Sequence, residues 1–238
     1  MSSGAIVAIQ NPLIVSDGLV GYWPLNDGSE LVVQDFGGNN RLIGNITGSV
    51  SWTTGRVGPA LKFTSGTNLT SSVTVITNSF VSSLSSAAQS WACWINGTSF
   101  PNGYNCVVTT DRSDDVNTFF NIMVKSNGKL AMYLQNTNNG GVFYDGTGTN
   151  TLVAGTWYHL AMTFTSTVGM IGYVNGAQDG ASAVTGFGNK LASPFARIGS
   201  AGPFLRDRGF NGIIDDVRLY NRALTAAEVN QLYLARGT

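Results

Sequence analysis

The chain has 238 residues, a length that an all-β sandwich fills as one domain. Charged residues make up 11% of it, against about 25% in an average soluble domain, and the net charge is zero. No segment concentrates lysine and arginine, which excludes the basic footprint that nucleic-acid binding needs. No segment approaches the roughly 18 consecutive apolar residues of a membrane-spanning helix. The low-charge surface fits a glycan or neighbouring protein subunits as a partner, and equally fits an ordinary soluble surface.

The N-terminal segment, residues 1–16, is interpreted as an arm that precedes a single domain over residues 17–238. It has no basic n-region and only a five-residue apolar run before Gln10, so it does not have the pattern of a signal peptide. The protein is therefore expected to stay in a cytoplasm, to be exported by a non-classical route, or to be part of a virus particle. The arm is expected to pack on another surface, such as a neighbouring subunit.

Strand signals dominate the remainder of the chain. Short runs rich in β-branched and aromatic residues are bounded by Gly, Asn, Asp or Pro, which predicts an all-β, two-sheet antiparallel sandwich. Two Asn-Gly pairs, Asn127-Gly128 and Asn175-Gly176, predict type I′ hairpin turns. The runs include GLVGYWPL, ALKFTS, SWACWING, NCVVTT, FFNIMVK, KLAMYLQN, WYHLAMTFTS, MIGYVNG and GIIDDVRLY.

One short helix is predicted near the C-terminus. Thr225 and Glu228 form a T-x-x-E capping box. Leu224 and Val229 stand at the N′ and N4 positions of a hydrophobic staple, and Gly237 is expected to end the helix.

The sequence offers little support for catalysis. The single histidine, His159, lies in a strand-like run and is interpreted as a structural residue. No nucleophile elbow, zinc-protease motif or phosphate loop occurs. The acidic stretch from Asp111 to Asp115 is interpreted as a solvated turn. We therefore predict no catalytic residues.

Two cysteines, Cys93 and Cys106, leave two alternatives open. They are close enough in sequence to face each other across a hairpin and form a disulfide. They also fit two buried free thiols, which behave as small hydrophobic side chains.

Two adjacent acids, Asp215 and Asp216, stand in the last strand-like run. Side chains alternate along a strand, which places Asp215 with Val217 on the more apolar face and Asp216 with Arg218 on the other. Asp215 is then the acid directed towards the core, where it needs a hydrogen-bond donor, an opposite charge or a metal. Asp216 and Arg218 are expected to form a local ion pair.

An Asx-rich turn, QDFGGNN, begins at Gln34. Asp, Asn and main-chain carbonyls in a Gly-rich turn are the hard oxygen ligands that calcium takes. An ordinary Asx-turn explains the same residues, so both alternatives stay open.

Taken together, GLVGYWPLNDG, QDFGGN, TGRVGPALKF, SWACWING, TWYHLAMTF, GYVNG, RIGS and FNGIIDDVRLYNRALTAAEV resemble the LamG-like, concanavalin A-like domain family of bacteria and phages. The resemblance covers roughly residues 18 to 235, and the closing block is its most specific part. It implies a jelly roll in which the first and last strands pair, bringing the Asp35 turn near Asp215.

The resemblance also implies a structural calcium ion, with Asp35, Asn39 and Asp215 as its ligands here. The sequence departs from the family's D-x-S-G-N form at Gly37, which removes a hydroxyl. The E-x-D-x-E strand of the related glucanases is absent, which argues against hydrolysis.

The expected function is a non-catalytic recognition or structural module. It would belong to a larger assembly, such as a phage virion, as a capsid decoration protein or tail-associated adhesin with possible glycan binding. The alternative is a stand-alone bacterial carbohydrate-binding or adhesion domain, and a glycoside hydrolase ranks below both. Three aromatic residues in loop-like stretches are the predicted ligand contacts, namely Tyr104, Tyr144 and Phe204. Four tryptophans are predicted to belong to the core: Trp23, Trp91, Trp94 and Trp157.

Overall fold

The computed structural model describes residues 15–28, 31–37, 43–64, 71–76, 88–111, 118–135, 141–144, 148–183, 195–201 and 208–235. In chain order the strands are β1 Leu19–Trp23, β2 Val32–Val33, β3 Gly44–Thr47, β4 Val50–Thr54, β5 Pro59–Phe63, β6 Ser72–Ile76, β7 Ala88–Ser99, β8 Tyr104–Asp111, β9 Thr118–Lys125, β10 Leu130–Gln135, β11 Gly141–Tyr144, β12 Trp157–Thr165, β13 Gly169–Val174, β14 Ala177–Ser182, β15 Phe195–Ile198 and β16 Asn211–Tyr220. One helix, α1, spans Ala226–Leu234.

The strands form two antiparallel sheets, as the sequence predicts. Sheet A has the order β14-β13-β12-β7-β16-β5-β4, and sheet B has the order β11-β10-β9-β8-β15-β6-β3-β2. Strand β16 is long enough for two partners on one side, because its first half pairs with β5 and its second half with β1. The predicted pairing of the first and last strands is therefore confirmed.

The main core lies between the sheets. Trp23 and Trp91 stack there with their ring centroids 6.3 Å apart, and Phe120 of sheet B packs against Trp91. Both tryptophans are fully buried, as predicted. Trp94 is buried as well, although outside this cluster, so the prediction of a core position is confirmed for it. Trp157 is only half-buried, and the prediction is wrong there.

Helix α1 covers part of the outer face of sheet A, the face turned away from sheet B. Val229 and Leu232 of the helix pack on Tyr22, Ala161 and Tyr220 of the sheet. The predicted capping box is present: the Glu228 amide donates to Thr225 Oγ1, and Glu228 Oε2 accepts from the Thr225 amide. The helix ends at Leu234, and Gly237 lies outside the described residues.

The two Asn-Gly pairs form different turns. At Asn175-Gly176 both residues have positive φ, 51° and 79°, as the predicted type I′ turn requires. At Asn127-Gly128 only the glycine does, with φ 77°, and the Gly128 amide donates to the Lys125 carbonyl. This loop is a type I turn followed by a glycine bulge, so the type I′ prediction is wrong at this position.

The two cysteines lie in different layers. Cys93 belongs to the core between the sheets, whereas Cys106 packs with Met123 and Ala131 on the outer face of sheet B. Both are buried free thiols. Within the described part of the chain, no helix is long and apolar enough to cross a membrane.

Candidate functional site

Asp215 lies on the outer face of sheet A and not on the core face that strand alternation predicts. Ile214, Val217 and Leu219 of β16 all belong to the core between the sheets. The alternation breaks because the register between β16 and β7 shifts between Asp215 and Arg218, where Asp216 has a φ of 51°. Such a bulge places two residues opposite one and moves the following side chains to the other face.

The Asp215 carboxylate is held by the turn between β4 and β5. Its Oδ2 atom accepts hydrogen bonds from the amides of Arg56 (2.7 Å) and Val57 (2.9 Å). The side chain is fully buried, and this desolvation raises its pKa to about 7, although the two amides act in the opposite direction. The Oδ1 atom is buried without a hydrogen bond of normal geometry. A Cβ atom on Gly55 would stand 2.5 Å from Asp215 Oδ2, so this turn needs glycine there.

Asp216 forms the predicted ion pair with Arg218. Nη2 and Nε of Arg218 donate to the two carboxylate oxygens at 3.1 and 3.3 Å. The guanidinium also lies 4.3 Å from the ring centroid of Tyr22. Burial lowers the pKa of Arg218, but Asp216, Tyr22 and Tyr220 act together in the opposite direction and the pKa is raised. The Arg218 guanidinium therefore stays charged in this buried position.

Asp35 stabilises an Asx-turn and ties it to sheet A. Its Oδ1 atom accepts from the amides of Gly37 and Tyr22, both at 2.7 Å. A Cβ atom at position 37 would stand 2.6 Å from the Tyr22 nitrogen. This close approach leaves no room for a side chain at position 37 in this structure.

The calcium prediction stays a prediction. Asp35 and Asp215 bind different sets of main-chain amides, and Asn39 lies outside the described residues. The buried Oδ1 of Asp215 is suited to a cation, but calcium takes six to eight oxygen ligands. In the described ranges, no three acidic, histidine or cysteine side chains come together. The described residues thus supply only part of a calcium shell.

His159 is a structural residue of the outer face of sheet A, where it pairs with Trp94 across the strands. Its ring lies 5.3 Å from that of Trp94 and 6.3 Å from that of Tyr233 of α1. Burial lowers the pKa of His159 to about 4, so the imidazole is neutral at physiological pH. The Arg56 guanidinium lies over the Trp94 ring, 5.0 Å from the ring centroid.

The outer face of sheet B carries a different set of side chains. The pairing register aligns one residue from each of four neighbouring strands in a transverse row, namely Arg197, Thr109, Asn121 and Tyr133. Nearly all of their neighbours along the strands belong to the core, which directs this row away from it. Thr109 and Asn121 are buried at the floor, while Arg197 and Tyr133 are half-buried at the ends.

Tyr104 stands on the same face, at the start of β8. Lys125 and Arg208 lie 5.7 and 5.6 Å from the centroid of its ring. Arg208 also acts on Tyr133. Burial raises the pKa of the Tyr133 phenol, and the positive charge of Arg208 offsets part of that rise. We name Arg197, Thr109, Asn121, Tyr133, Tyr104 and Arg208 the sheet B row.

Of the three predicted contact aromatics, Tyr104 alone can be placed fully. It belongs to a strand and not to a loop. Tyr144 is the last residue of β11, with its side chain outside the described structure, and Phe204 lies outside the described residues. Sequence reasoning missed Tyr133, Asn121 and Arg197. The only available signal was an outward polar residue in each of three otherwise apolar strands, and it does not show that these strands are neighbours.

Comparison with known proteins adds to this geometry. A family model described as the concanavalin A-like lectin/glucanases superfamily matches residues 65–230. The chain belongs to this superfamily. No curated protein sequence matched the chain.

Solved structures of this superfamily fold are similar over most of the chain. Domain 4 of AbnA, a GH43 extracellular arabinanase from Geobacillus stearothermophilus in complex with arabinotriose, has 20% identity and a TM-score of 0.68, covering 90% of this chain and 98% of that one. The binding domain of botulinum neurotoxin serotype G has 16% identity and a TM-score of 0.67 (91% and 50%). Trypanosoma rangeli sialidase has 17% identity and a TM-score of 0.66 (93% and 33%). The chain thus spans about half of that toxin domain and a third of the sialidase, and such identities show the fold alone.

Proposed function

We propose that this superfamily member is a non-catalytic carbohydrate-recognition module and that it binds glycan on the outer face of sheet B. The sheet B row carries the proposal. It combines two tyrosine rings with guanidinium, hydroxyl and carboxamide groups on one face of a rigid sheet. Recognition sites typically join aromatic surface with a few fixed polar groups that set the ligand's orientation.

The chemistry of the row suits a polyhydroxylated ligand. Arg197 and Tyr133 bring a guanidinium and a phenol to the half-buried ends of the row, and between them lie the buried polar side chains of Asn121 and Thr109. Sugar hydroxyls both donate and accept, so they match this mixture better than a purely anionic or purely apolar ligand does. The arabinanase domain with a similar fold, solved with arabinotriose, supports the same ligand class.

The roles of the buried aspartates support the non-catalytic part of the proposal. Glycoside hydrolysis normally requires two carboxyl groups that flank the scissile bond. The four aspartates that are buried among the described residues instead hold main-chain amides, an asparagine side chain or an arginine. Asp35 and Asp215 bind amides, Asp179 binds the amide and side chain of Asn150, and Asp216 binds Arg218.

A glycan array followed by calorimetry tests the proposal. We expect saturable binding of at least one glycan by the wild type. Tyr133→Ala should weaken it at least about tenfold, since interface tyrosines often contribute more than 1 kcal/mol. Phe36→Ala is the matched control, because Phe36 is a 61% exposed aromatic outside the row. Equal losses in both variants, or release of sugar from a polysaccharide by the wild type, would contradict the proposal.

A second function, membership of a larger assembly such as a phage particle, is favoured by three exposed apolar side chains. Leu31, Phe36 and Ile43 flank the short edge strand β2 and are 79%, 61% and 46% exposed. Exposed apolar side chains beside an open sheet edge mark a surface that another subunit can cover.

Purification of such particles tests this second function. The protein should occur there at a fixed copy number, and Phe36→Ala should reduce its incorporation while Tyr133→Ala leaves it unchanged. A protein that stays outside the particles would restrict the function to glycan recognition.

A further inference from the structure

Arg208 brings a half-buried positive charge to the sheet B row. Its guanidinium lies 5.6 Å from the centroid of the Tyr104 ring, and its charge also acts on the phenol of Tyr133. Among the residues that the structure describes, no carboxylate forms an ion pair with this guanidinium. Arg218 and Arg222, in contrast, each pair with an acid of the same chain. The charge of Arg208 is therefore one that an acidic ligand can neutralise.

The main chain that follows Arg208 is fixed by buried groups. The Gly209 carbonyl accepts a hydrogen bond from Asn102 Nδ2 at 3.0 Å, and Gly209 also forms an isolated bridge with Cys106. The Phe210 amide donates to a main-chain carbonyl at 2.8 Å, and the Phe210 ring is fully buried. A side chain on an anchored segment loses less conformational freedom on binding than one on an unanchored segment does. Arg208 is thus placed on the sheet B face before a ligand arrives.

A second cation lies against the same tyrosine ring. Lys125 Nζ lies 5.7 Å from the Tyr104 centroid, so two positive groups lie within 6 Å of the centre of one ring. Their charges add to the local potential, and a carboxylate placed near the ring is attracted to both. A guanidinium also binds a carboxylate through two parallel hydrogen bonds, a geometry that an ammonium group does not offer. This end of the row is therefore suited to a carboxylate, with Arg208 as its principal donor.

We propose that the sheet B row selects acidic sugars and that Arg208 is the residue that binds their carboxylate. The inference rests on the proposed glycan-binding function and adds the class of ligand. A hexuronic acid has the required chemistry, because it carries one carboxylate and several hydroxyl groups on the same ring. Its carboxylate binds Arg208 at the Tyr104 end of the row, and the Tyr133 ring gives the remainder of the sugar an apolar surface.

Calorimetry with matched oligosaccharides tests this selection in the full chain. The probes are uronate oligosaccharides of several linkages, each compared with its carboxyl-reduced counterpart, which is neutral and otherwise identical. A third set carries a sulfate ester in place of the carboxylate. Arg208→Gln removes the charge, and Arg208→Lys keeps the charge but removes the fork of donors. Arg56→Gln is the matched control, because Arg56 is also half-buried and also lies over an aromatic ring, that of Trp94 on sheet A.

We expect the wild type to bind at least one uronate probe about tenfold or more tightly than its neutral counterpart, since hydrogen bonds to charged groups are among the stronger ones. Arg208→Gln should bring this ratio close to one while the affinity for the neutral probe changes by less than about threefold. Arg208→Lys should retain part of the preference, and Arg56→Gln should retain all of it. A purely structural role of Arg208 would lower both affinities together and leave their ratio unchanged.

Three results would overturn the inference and leave glycan recognition in place. The wild type would bind the neutral probes as tightly as the acidic ones, it would prefer the sulfated set, or its preference would survive Arg208→Gln. A wild type that binds no probe of any set and no glycan on the array would overturn the proposed function itself. The failure of the ligand class and the failure of the function are therefore separate outcomes.

Discussion

The outer faces of the two sheets differ in what covers them. On sheet A, α1 buries Tyr22, Ala161 and Tyr220, and the charged groups beneath it pair internally, as Asp216 does with Arg218. On sheet B, the outward row keeps Arg197 and Tyr133 half-buried, with polar groups between them. One face thus stabilises the fold, and the other carries the proposed binding surface. Substitutions of matched residues on the two faces should separate these roles.

The largest expected difference concerns two arginines. Arg218→Gln leaves Asp216 buried without its cation, and breaking a buried pair in this way costs about 3–5 kcal/mol. Arg197→Gln on sheet B should lower the free energy of unfolding by less, because Arg197 is half-buried whereas Arg218 is buried with Asp216. Urea denaturation measures both, and calorimetry should show weaker glycan binding for Arg197→Gln alone. If the two variants lost equal stability, the contrast between the faces would be wrong.

A pair of leucines on α1 tests the helix cover itself. Leu232 is 2% exposed and packs on sheet A, whereas Leu234 is 58% exposed. Leu232→Ala should lower the free energy of unfolding by about 2–5 kcal/mol, because it leaves a cavity in a packed layer. Leu234→Ala is the control and should stay within about 0.5 kcal/mol of the wild type. Neither variant should alter glycan affinity, and a tenfold loss for Leu232→Ala would move the binding surface to sheet A.

The next prediction concerns pH and the only histidine. The pKa of folded His159 is about 4 against 6.5 when unfolded, so between these values the unfolded chain binds more protons. Its contribution to stability is complete above pH 6.5 and is lost as the pH falls towards 4, by up to roughly 3 kcal/mol. Comparing the stability of the wild type with that of His159→Gln at each pH separates this contribution from that of Asp215. Because the pKa of Asp215 is raised, its contribution to the free energy of unfolding changes with pH in the opposite direction. NMR titration of the single imidazole should show no change down to about pH 5. An ordinary pKa near 6.5 would show that sheet A is open at this point.

The sequence predicted features that depend on neighbours along the chain and failed where distant strands meet. Thr225 and Glu228 are three residues apart, so their capping box was readable directly. The bulge after Asp215 was not, because it depends on how β16 pairs with β7, more than 100 residues earlier in the chain. Strand alternation therefore assigned Asp215 to the wrong face.

The proposed binding face was hidden for the same reason. Tyr133, Asn121, Thr109 and Arg197 form a row only through the strand order of sheet B. Tyr104 was among the predicted contact aromatics because NGYN resembles a loop, although Tyr104 begins a strand. The overall sandwich was predictable because each strand carries its own alternation and turn signals, and these need no knowledge of partners.

The smallest expected effect concerns calcium, at the joint between the two sheets. Asp35 follows β2 of sheet B and binds the Tyr22 amide in β1 of sheet A, so an ion there would fasten one sheet to the other. Free calcium at ten times its dissociation constant stabilises a protein by about 1.4 kcal/mol. We expect a saturating chelator to lower the melting temperature by a few degrees and Asp35→Asn to remove this response. If the melting temperature stays the same and no ion is detected by elemental analysis, Asp35 and Asp215 act only through the main-chain amides that they bind. The joint would then depend on hydrogen bonds alone, and Gly37, which permits the close approach to Tyr22, would be its most sensitive position.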